Sequence, residues 1–364
     1  MRIGIHAVAA VNPERTGVGE YTYQLLRAWA TNQPPEHTFL VYSHTPLDFN
    51  LPPSFTFRQL RAPFLWTQGR LPFSLWRDRP DIMFFPSQFP PLAYAGPVAV
   101  TIHGCEFKEY PEHYPFWQRI YLDRLTALSL KKARVVLAVS QATAGALERH
   151  YGFPAGRAIV IHHGVSVPSP IGSELPAGVQ KPFFLFLGRV GFKKNVDGLI
   201  RAFNQAAVEH RTRHQLVIAG PWGHDTARLI ALARKLPATD SIVFTGYVPE
   251  DTKWALLRGA RALVFPSHAE GFGIPLIEAQ AVGTPVIAAD IPVFREIADS
   301  GIRWARAGDD ADLAGALVEV TRNPQLRAIL VEGSRRSAQR FSWEKTATET
   351  LAAITAHQPL TTNY

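Results

Sequence analysis

Two carboxylates eight residues apart, Glu270 and Glu278, stand in the stretch 261–290, RALVFPSHAEGFGIPLIEAQAVGTPVIAAD. A carboxylate accepts two hydrogen bonds from a vicinal diol, so such a pair suits a sugar or a ribose. Between them lie Gly271, Phe272, Gly273 and Ile274. Glycines let a backbone approach a ligand, and the amides that open a helix favour an anion such as phosphate. By residue type alone, Glu270 reads equally as a loop carboxylate and Glu278 as a solvated helix residue. A second constellation is Arg189 and Lys194 in Gly188-Arg189-Val190-Gly191-Phe192-Lys193-Lys194-Asn195. Two cations beside a helix N-terminus gain nothing from the dipole, and their repulsion calls for an anion. A diphosphate fits, with solvated surface charge as the alternative. His103 precedes Gly104, and Gly17-Val18-Gly19 follows a polar turn. A lone histidine is more often structural than catalytic. The bare G-x-G is a weak signal, because Thr22 occupies the third glycine position of a dinucleotide fingerprint.

The elements that must hold these residues alternate between short apolar runs and helical spacing. Residues 262–265 predict a strand, 274–281 a helix and 286–289 a second strand, which is half of a βαβ unit with Glu270 at a strand's carboxyl end. Further strands are predicted at 2–8, 39–42, 81–85, 98–102, 135–139, 183–187, 215–219 and 242–244. Helices are predicted at 20–30, 115–133, 140–151, 196–207 and 344–356. Ser140 has the form of an N-cap. Residues 57–79 interleave Arg58, Arg61, Arg70, Arg77 and Arg79 with Phe64, Trp66, Phe73 and Trp76. This stretch reads as a helix whose aromatics pack on the sheet while its arginines stay solvated, with an interfacial membrane patch as the other reading. Pro63 and Pro72 break any long amphipathic helix there. The loop 86–91, Pro86-Ser87-Gln88-Phe89-Pro90-Pro91, is a candidate acceptor contact. Residues 168–182 carry Pro168, Pro170, Gly172, Pro176, Gly178 and Pro182 and predict a linker.

The chain has 364 residues, enough for two domains of ordinary size. It has no apolar run long enough to span a bilayer, and its N-terminus reads as a first strand rather than a signal peptide. A single cysteine, Cys105, excludes an intramolecular disulfide and fits a reducing cytoplasm. The net charge of +8 divides as +4 in residues 1–180 and +4 in residues 181–364. A dispersed excess suits anionic ligands or an anionic membrane surface, and no nucleic-acid motif accompanies it. Nothing orients Cys105 and His103 as a thiol nucleophile. His162-His163 lacks a third metal ligand at suitable spacing, and Asp310-Ala311-Asp312 reads as the polar start of a helix, so no metal site is inferred.

The words Pro266-Ser267, Glu270-Gly271-Phe272-Gly273, Glu278-Ala279 and Gly283-Thr284-Pro285-Val286-Ile287-Ala288 resemble the E-x7-E signature of retaining glycosyltransferase family 4. The resemblance covers nearly the whole chain and is strongest over residues 183–290. It implies an α/β GT-B fold, two doubly wound Rossmann-like domains facing across a cleft. Residues 1–167 would be the acceptor side, 168–182 the linker, 183–340 the nucleotide-sugar domain, and 341–364 a helix crossing back to the first domain. It also implies roles: Arg189 and Lys194 on the donor diphosphate, and Gly17 and Gly19 closing over the phosphates and sugar. Phe272, Gly273 and Ile274 would form the anion nest, with Glu278 on the ribose and Glu270 on sugar hydroxyls and the cationic ring. His103 would contact the sugar from the opposite domain, and the main chain at Tyr247 and Val248 would read the base. Gly17-Val18-Gly19-Glu20-Tyr21-Thr22 and Ser267–Pro275 are similar to the bacterial mannosyltransferase-like group that builds O-antigen and other surface polysaccharides. The implied reaction is metal-independent transfer of a hexose with retention, from a nucleotide-sugar (GDP-mannose favoured) to a saccharide or lipid-linked acceptor. The implied location is cytoplasmic, and peripheral on the membrane at most. A nucleotide-sugar epimerase, a phosphorylase and a binding subunit without turnover share the fold and stay open.

Overall fold

The computed structural model describes residues 1–60, 66–87, 89–210 and 213–356. The chain divides into two compact units. Unit 1 comprises Met1–Gly164 together with the C-terminal segment from Trp343, and unit 2 is Val165–Ser342.

Unit 1 holds seven parallel strands: β1 (Arg2–His6), β2 (Thr38–Ser43), β3 (Phe55–Gln59), β4 (Ile82–Phe85), β5 (Val98–Ile102), β6 (Val135–Ala138) and β7 (Ala158–Val160). Their order is β3-β2-β1-β4-β5-β6-β7. Unit 2 holds six parallel strands: β8 (Phe183–Leu187), β9 (Gln215–Ala219), β10 (Ile242–Gly246), β11 (Ala262–Phe265), β12 (Val286–Ala289) and β13 (Ile302–Ala305). Their order is β10-β9-β8-β11-β12-β13. Both sheets share the doubly wound order in which the winding reverses beside the first strand. The central strands are continuous apolar runs because helices cover both faces. Phe183, Phe184, Leu185 and Phe186 in β8 are all at or below 1 % exposure.

Edge strands β3, β7 and β13 were absent from the sequence-based expectation. Each is short or carries polar residues, such as Arg58 and Arg303, on a half-exposed edge that no apolar run marks. The stretch 57–79 differs from its expected form. Phe57 and Arg58 belong to β3, and among the described residues of the stretch only Leu71–Asp78 is α-helical. Its buried face is Leu71, Ser74, Leu75 and Asp78, while Phe73 and Trp76 are exposed rather than packed on the sheet. The helix turns this face inward because Asp78 anchors it, accepting from Tyr42 Oη at 3.1 Å and pairing with Arg58 and Arg77 at 3.2 Å each. Arg61, Pro63, Phe64 and Gln88 lie outside the described residues.

Within unit 1 the C-terminal helix Trp343–Thr355 is tied in by side-chain bonds. Trp29 Nε1 donates to Ala347 O at 2.9 Å and Thr346 Oγ1 to His162 O at 2.8 Å. Ser140 caps the helix Gln141–Tyr151, accepting from the Thr143 amide at 3.0 Å. Among the described residues no helix is long and apolar enough to cross a membrane.

Candidate active site

In unit 2 the winding reverses between β8 and β11, so the loops at their carboxyl ends line the crevice where such sheets hold ligands. The loop after β8 exposes Arg189, which pairs with no carboxylate among the described residues. It then makes a short 3-10 turn, Phe192–Lys194, and enters the helix Val196–His210 through Asn195 at φ 52°. The loop after β11 runs to Gly273. The two loops are bonded together: the His268 amide donates to Lys193 O at 3.0 Å, and the Phe192 ring stacks on His268 at 5.5 Å.

Lys194 Nζ donates to Glu270 Oε1, and Ser267 Oγ donates to the same oxygen at 2.7 Å. Both bonds end on Oε1 and leave Oε2 uncommitted. Burial pushes the Glu270 carboxyl up, but the charges of Lys194 and Lys193 and these two hydrogen bonds outweigh it. The net result lies below the usual carboxylate range. Glu270 is therefore an acceptor with a largely covered side chain, ionised at neutral pH beside a cation.

Gly273 sits at φ 116°, and a Cβ built there would fall 2.9 Å from Phe294 Cε1. Only glycine satisfies both constraints. It starts the helix Ile274–Ala281, with Pro275 in the first turn and the Leu276 amide bonded to Gly273 O at 2.9 Å. The amides of Gly273 and Ile274 have no intrahelical acceptor, as in any first turn. Phe272 is buried edge-on against Phe341, 5.9 Å between centroids, so it holds the loop from behind.

Glu278, one turn into that helix, is buried and accepts from Lys253 Nζ at 2.6 Å. Lys253 was missed in the sequence. Glu250-Asp251-Thr252-Lys253 reads as an ordinary charged helix start, and no spacing links it to a residue 25 positions on. The helix Glu250–Gly259 that carries it begins just after Tyr247 and Val248. Tyr247 is exposed and Val248 buried. The two glutamates thus share a motif but have separate lysines: Glu270 with Lys194, Glu278 with Lys253.

In unit 1, Gly17 and Gly19 differ from their expected setting. They lie inside the first turn of the helix Gly17–Asn32 rather than in a turn before it. Thr16 is extended, and its carbonyl accepts from the Glu20 amide at 2.8 Å, so helical bonding starts there. A Cβ on Gly19 would meet Ala9 O at 2.7 Å, whereas one on Gly17 would meet nothing within 4 Å. His103 follows β5, edge-on to Tyr21 at 5.1 Å and stacked on His163 at 5.5 Å. Its Nε2 lies 2.6 Å from Pro86 O, which fixes the proton on Nε2 and leaves Nδ1 as an acceptor. Burial pulls its pKa down to about 4, so the ring is neutral at pH 7. The Asp310-Ala311-Asp312 carboxylates are engaged at a helix start. Asp309 caps through the Asp312 amide at 2.9 Å, Asp310 pairs with Arg201 at 2.6 Å, and Asp312 accepts from the Arg306 amide at 2.8 Å.

Residues 15–167 match the family described as Glycosyltransferase Family 4, and residues 173–337 match Glycosyl transferases group 1. The chain belongs to the family 4 and group 1 glycosyltransferases. A relative of this glycosyltransferase-family chain is the O-antigen chain mannosyltransferase B of Escherichia coli, 27% identical over 70% of this chain and 68% of that protein. Other relatives are matched over less of their own length, 51% and 61%. The fold is that of WaaG, a glycosyltransferase involved in lipopolysaccharide biosynthesis. The TM-score is 0.76 at 17% identity, covering 98% of this chain and 100% of that one. Anabaena Alr3699/HepE, solved with UDP and glucose, gives a TM-score of 0.75 at 18% identity, covering 98% and 99%. The family 4 chain therefore has the GT-B fold of two Rossmann-like domains.

Proposed function

We propose that this chain is a retaining hexosyltransferase. It moves a hexose, mannose favoured, from a nucleotide-diphosphate sugar to a saccharide or lipid-linked saccharide in cell-surface polysaccharide synthesis. The observation that carries the reading is the Lys194–Glu270–Ser267 cluster at the β8/β11 switch point, beside the amides of Gly273 and Ile274. The mannosyltransferase name of the Escherichia coli relative supports the sugar, and the UDP and glucose bound by HepE support a nucleotide-linked donor.

As the glycosidic bond to the donor phosphate breaks, negative charge grows on the diphosphate and positive charge on the sugar ring. Arg189, Lys194 and the Gly273 and Ile274 amides stabilise the first, which is the largest kind of contribution such a site can make. Glu270, ionised by its surroundings, stabilises the second and holds sugar hydroxyls through Oε2. Glu278 accepts from the ribose hydroxyls and Lys253 fixes its carboxylate. His103, neutral, accepts a sugar hydroxyl at Nδ1. No covalent nucleophile is assigned, and the acceptor proton goes to the departing phosphate on the same face. Arg189 and Lys194 supply the charge a metal would, so the reaction is metal-independent. If the acceptor is lipid-linked, the basic chain works at the cytoplasmic membrane surface and releases in high salt.

The test is donor turnover by the purified chain across GDP-, UDP-, ADP- and TDP-sugars, with product anomeric configuration read by NMR. Activity with retention that survives EDTA is the expected result. Inversion, or loss on chelation with recovery by Mg²⁺ or Mn²⁺, would overturn the mechanism.

A further inference from the structure

The loop 220–223 after β9, Gly220-Pro221-Trp222-Gly223, is packed backbone against backbone between its two neighbours. A Cβ on Gly220 would fall 2.0 Å from Gly188 O, and one on Gly223 would fall 2.0 Å from Val190 O. The Val190 amide donates to Pro221 O at 3.0 Å, and the Gly220 amide donates to Gly246 O at 2.8 Å. The Gly223 amide is held by Thr226 Oγ1 at 2.9 Å. Loops at the carboxyl ends of β8, β9 and β10 therefore form one ledge bonded backbone to backbone, with bare glycines at the points of contact. At its tip Trp222 is 59% exposed, the one exposed tryptophan among the described residues of unit 2.

An indole exposed to this degree gains little from burial. Its Nε1 lies against the bare face of Gly246, 2.8 Å from where a Cβ would stand, and Gly246 itself needs φ 71°. Tyr247, next along, is 39% exposed. Arg189, exposed on the adjacent loop, has its Cγ 3.9 Å from the Cβ position of Gly223. The ledge thus offers a planar aromatic surface on one side of a free cation. The β10 loop leads directly into the helix carrying Lys253, the partner of Glu278. A ligand with a flat ring at one end, a diol in the middle and phosphates at the other matches that sequence of groups.

We propose that the Trp222 indole is the stacking surface for the base of a nucleoside diphosphate ligand, a contact that senses the area of a planar ring rather than its hydrogen-bonding edge. It rests on the donor-binding reading above. Stacking is tolerant of base identity and strengthens with ring area. Trp222→Ala should weaken binding of GDP and ADP by about 10-fold or more and of UDP and TDP by less. Trp222→Phe should restore most of the affinity, and inorganic pyrophosphate should bind all three proteins alike. Nucleotide binding should quench wild-type tryptophan fluorescence and leave Trp222→Phe nearly unquenched. The exposed position predicts an unchanged melting temperature for both variants, so loss of folding will not confuse the result. Equal GDP affinity in wild type and Trp222→Ala would overturn the proposal while leaving the donor reading intact. So would a Trp222→Ala effect confined to acceptor KM, which would make the indole a saccharide platform. A wild-type protein that binds no nucleoside diphosphate would sink both readings together.

Discussion

Glu270 and Glu278 are the same residue type within one sequence word, yet their surroundings give them different work. Glu270 has a cation and a hydroxyl on one oxygen and its other oxygen uncommitted. Glu278 is buried against Lys253. Glu270→Gln keeps the shape and removes the charge, so the expected result is a kcat lower by about 100-fold or more with nucleoside diphosphate Kd almost unchanged. Glu278→Gln and Lys253→Met should both raise that Kd, by roughly 10-fold, because each loosens the charged hydrogen-bonding arrangement proposed to hold the ribose. Glu278→Ala is the poorer probe. It removes the carboxylate to which Lys253 Nζ donates, and the variant should lose up to about 3 kcal/mol of stability. Titration calorimetry with steady-state kinetics separates the two roles. Normal turnover by Glu270→Gln, or unchanged nucleotide affinity in Glu278→Gln, would show the assignment to be wrong.

At the scale of elements, three glycines that look alike in sequence do three different things. Gly273 combines φ 116° with a wall at Phe294, so Gly273→Ala should lower stability by about 2 kcal/mol and displace the helix start whose amides are proposed to meet phosphate. Gly19→Ala would press on Ala9 O and strain the junction of the helix Gly17–Asn32 with the 3-10 turn Val8–Val11. Gly17→Ala meets open space in a helical turn, so it should leave the melting temperature unchanged or raise it slightly. If Gly17 lets a donor phosphate approach, that same variant should raise donor KM. Melting curves beside donor kinetics for the three variants check this, and a destabilised Gly17→Ala would contradict the geometry. Such distinctions were not legible in the sequence, because φ and the wall behind a glycine come from residues far along the chain. The central strands were legible, since burial on both faces writes a continuous apolar run. So were the Lys194 and Glu270 candidates, which flank glycines at strand ends. The edge strands β3, β7 and β13 left no such run. Lys253 and Trp222 left no spacing signal, since each gains meaning only from a neighbour brought in by the sheet order.

At the scale of the molecule, the last helix among the described residues, Trp343–Thr355, belongs to the unit that contains the strand β1. Acid should expose this membership. Burial pulls His6 and His103 down to about 4 and His163 well below its usual value, and all three lie in unit 1. Unfolded histidines titrate near 6.5, so between about pH 6.5 and 4 the unfolded chain binds protons that the folded unit does not. The stability these neutral rings provide is fully present above pH 6.5. It is lost as pH falls through that window, at up to about 1.4 kcal/mol per pH unit for each histidine. In unit 2, His214 is also lowered, by burial and by Arg261. Unit 1 should therefore open first on acidification. Hydrogen exchange followed by mass spectrometry at pH 7.5 and 5, corrected for intrinsic rates, should show the strands β1 to β6 losing protection ahead of β8 to β13. Trp343–Thr355 should lose it together with unit 1, although residues of unit 2 precede it in the chain. His6 packs edge-on against Trp66 at 5.1 Å and beside Phe85 at 5.4 Å, and its Nε2 has no hydrogen-bond partner. His6→Phe should therefore keep the packing and remove one proton from the acid slope. Parallel loss of protection in both units, or a C-terminal helix that stays protected after β1 to β6 have opened, would refute this division of stability.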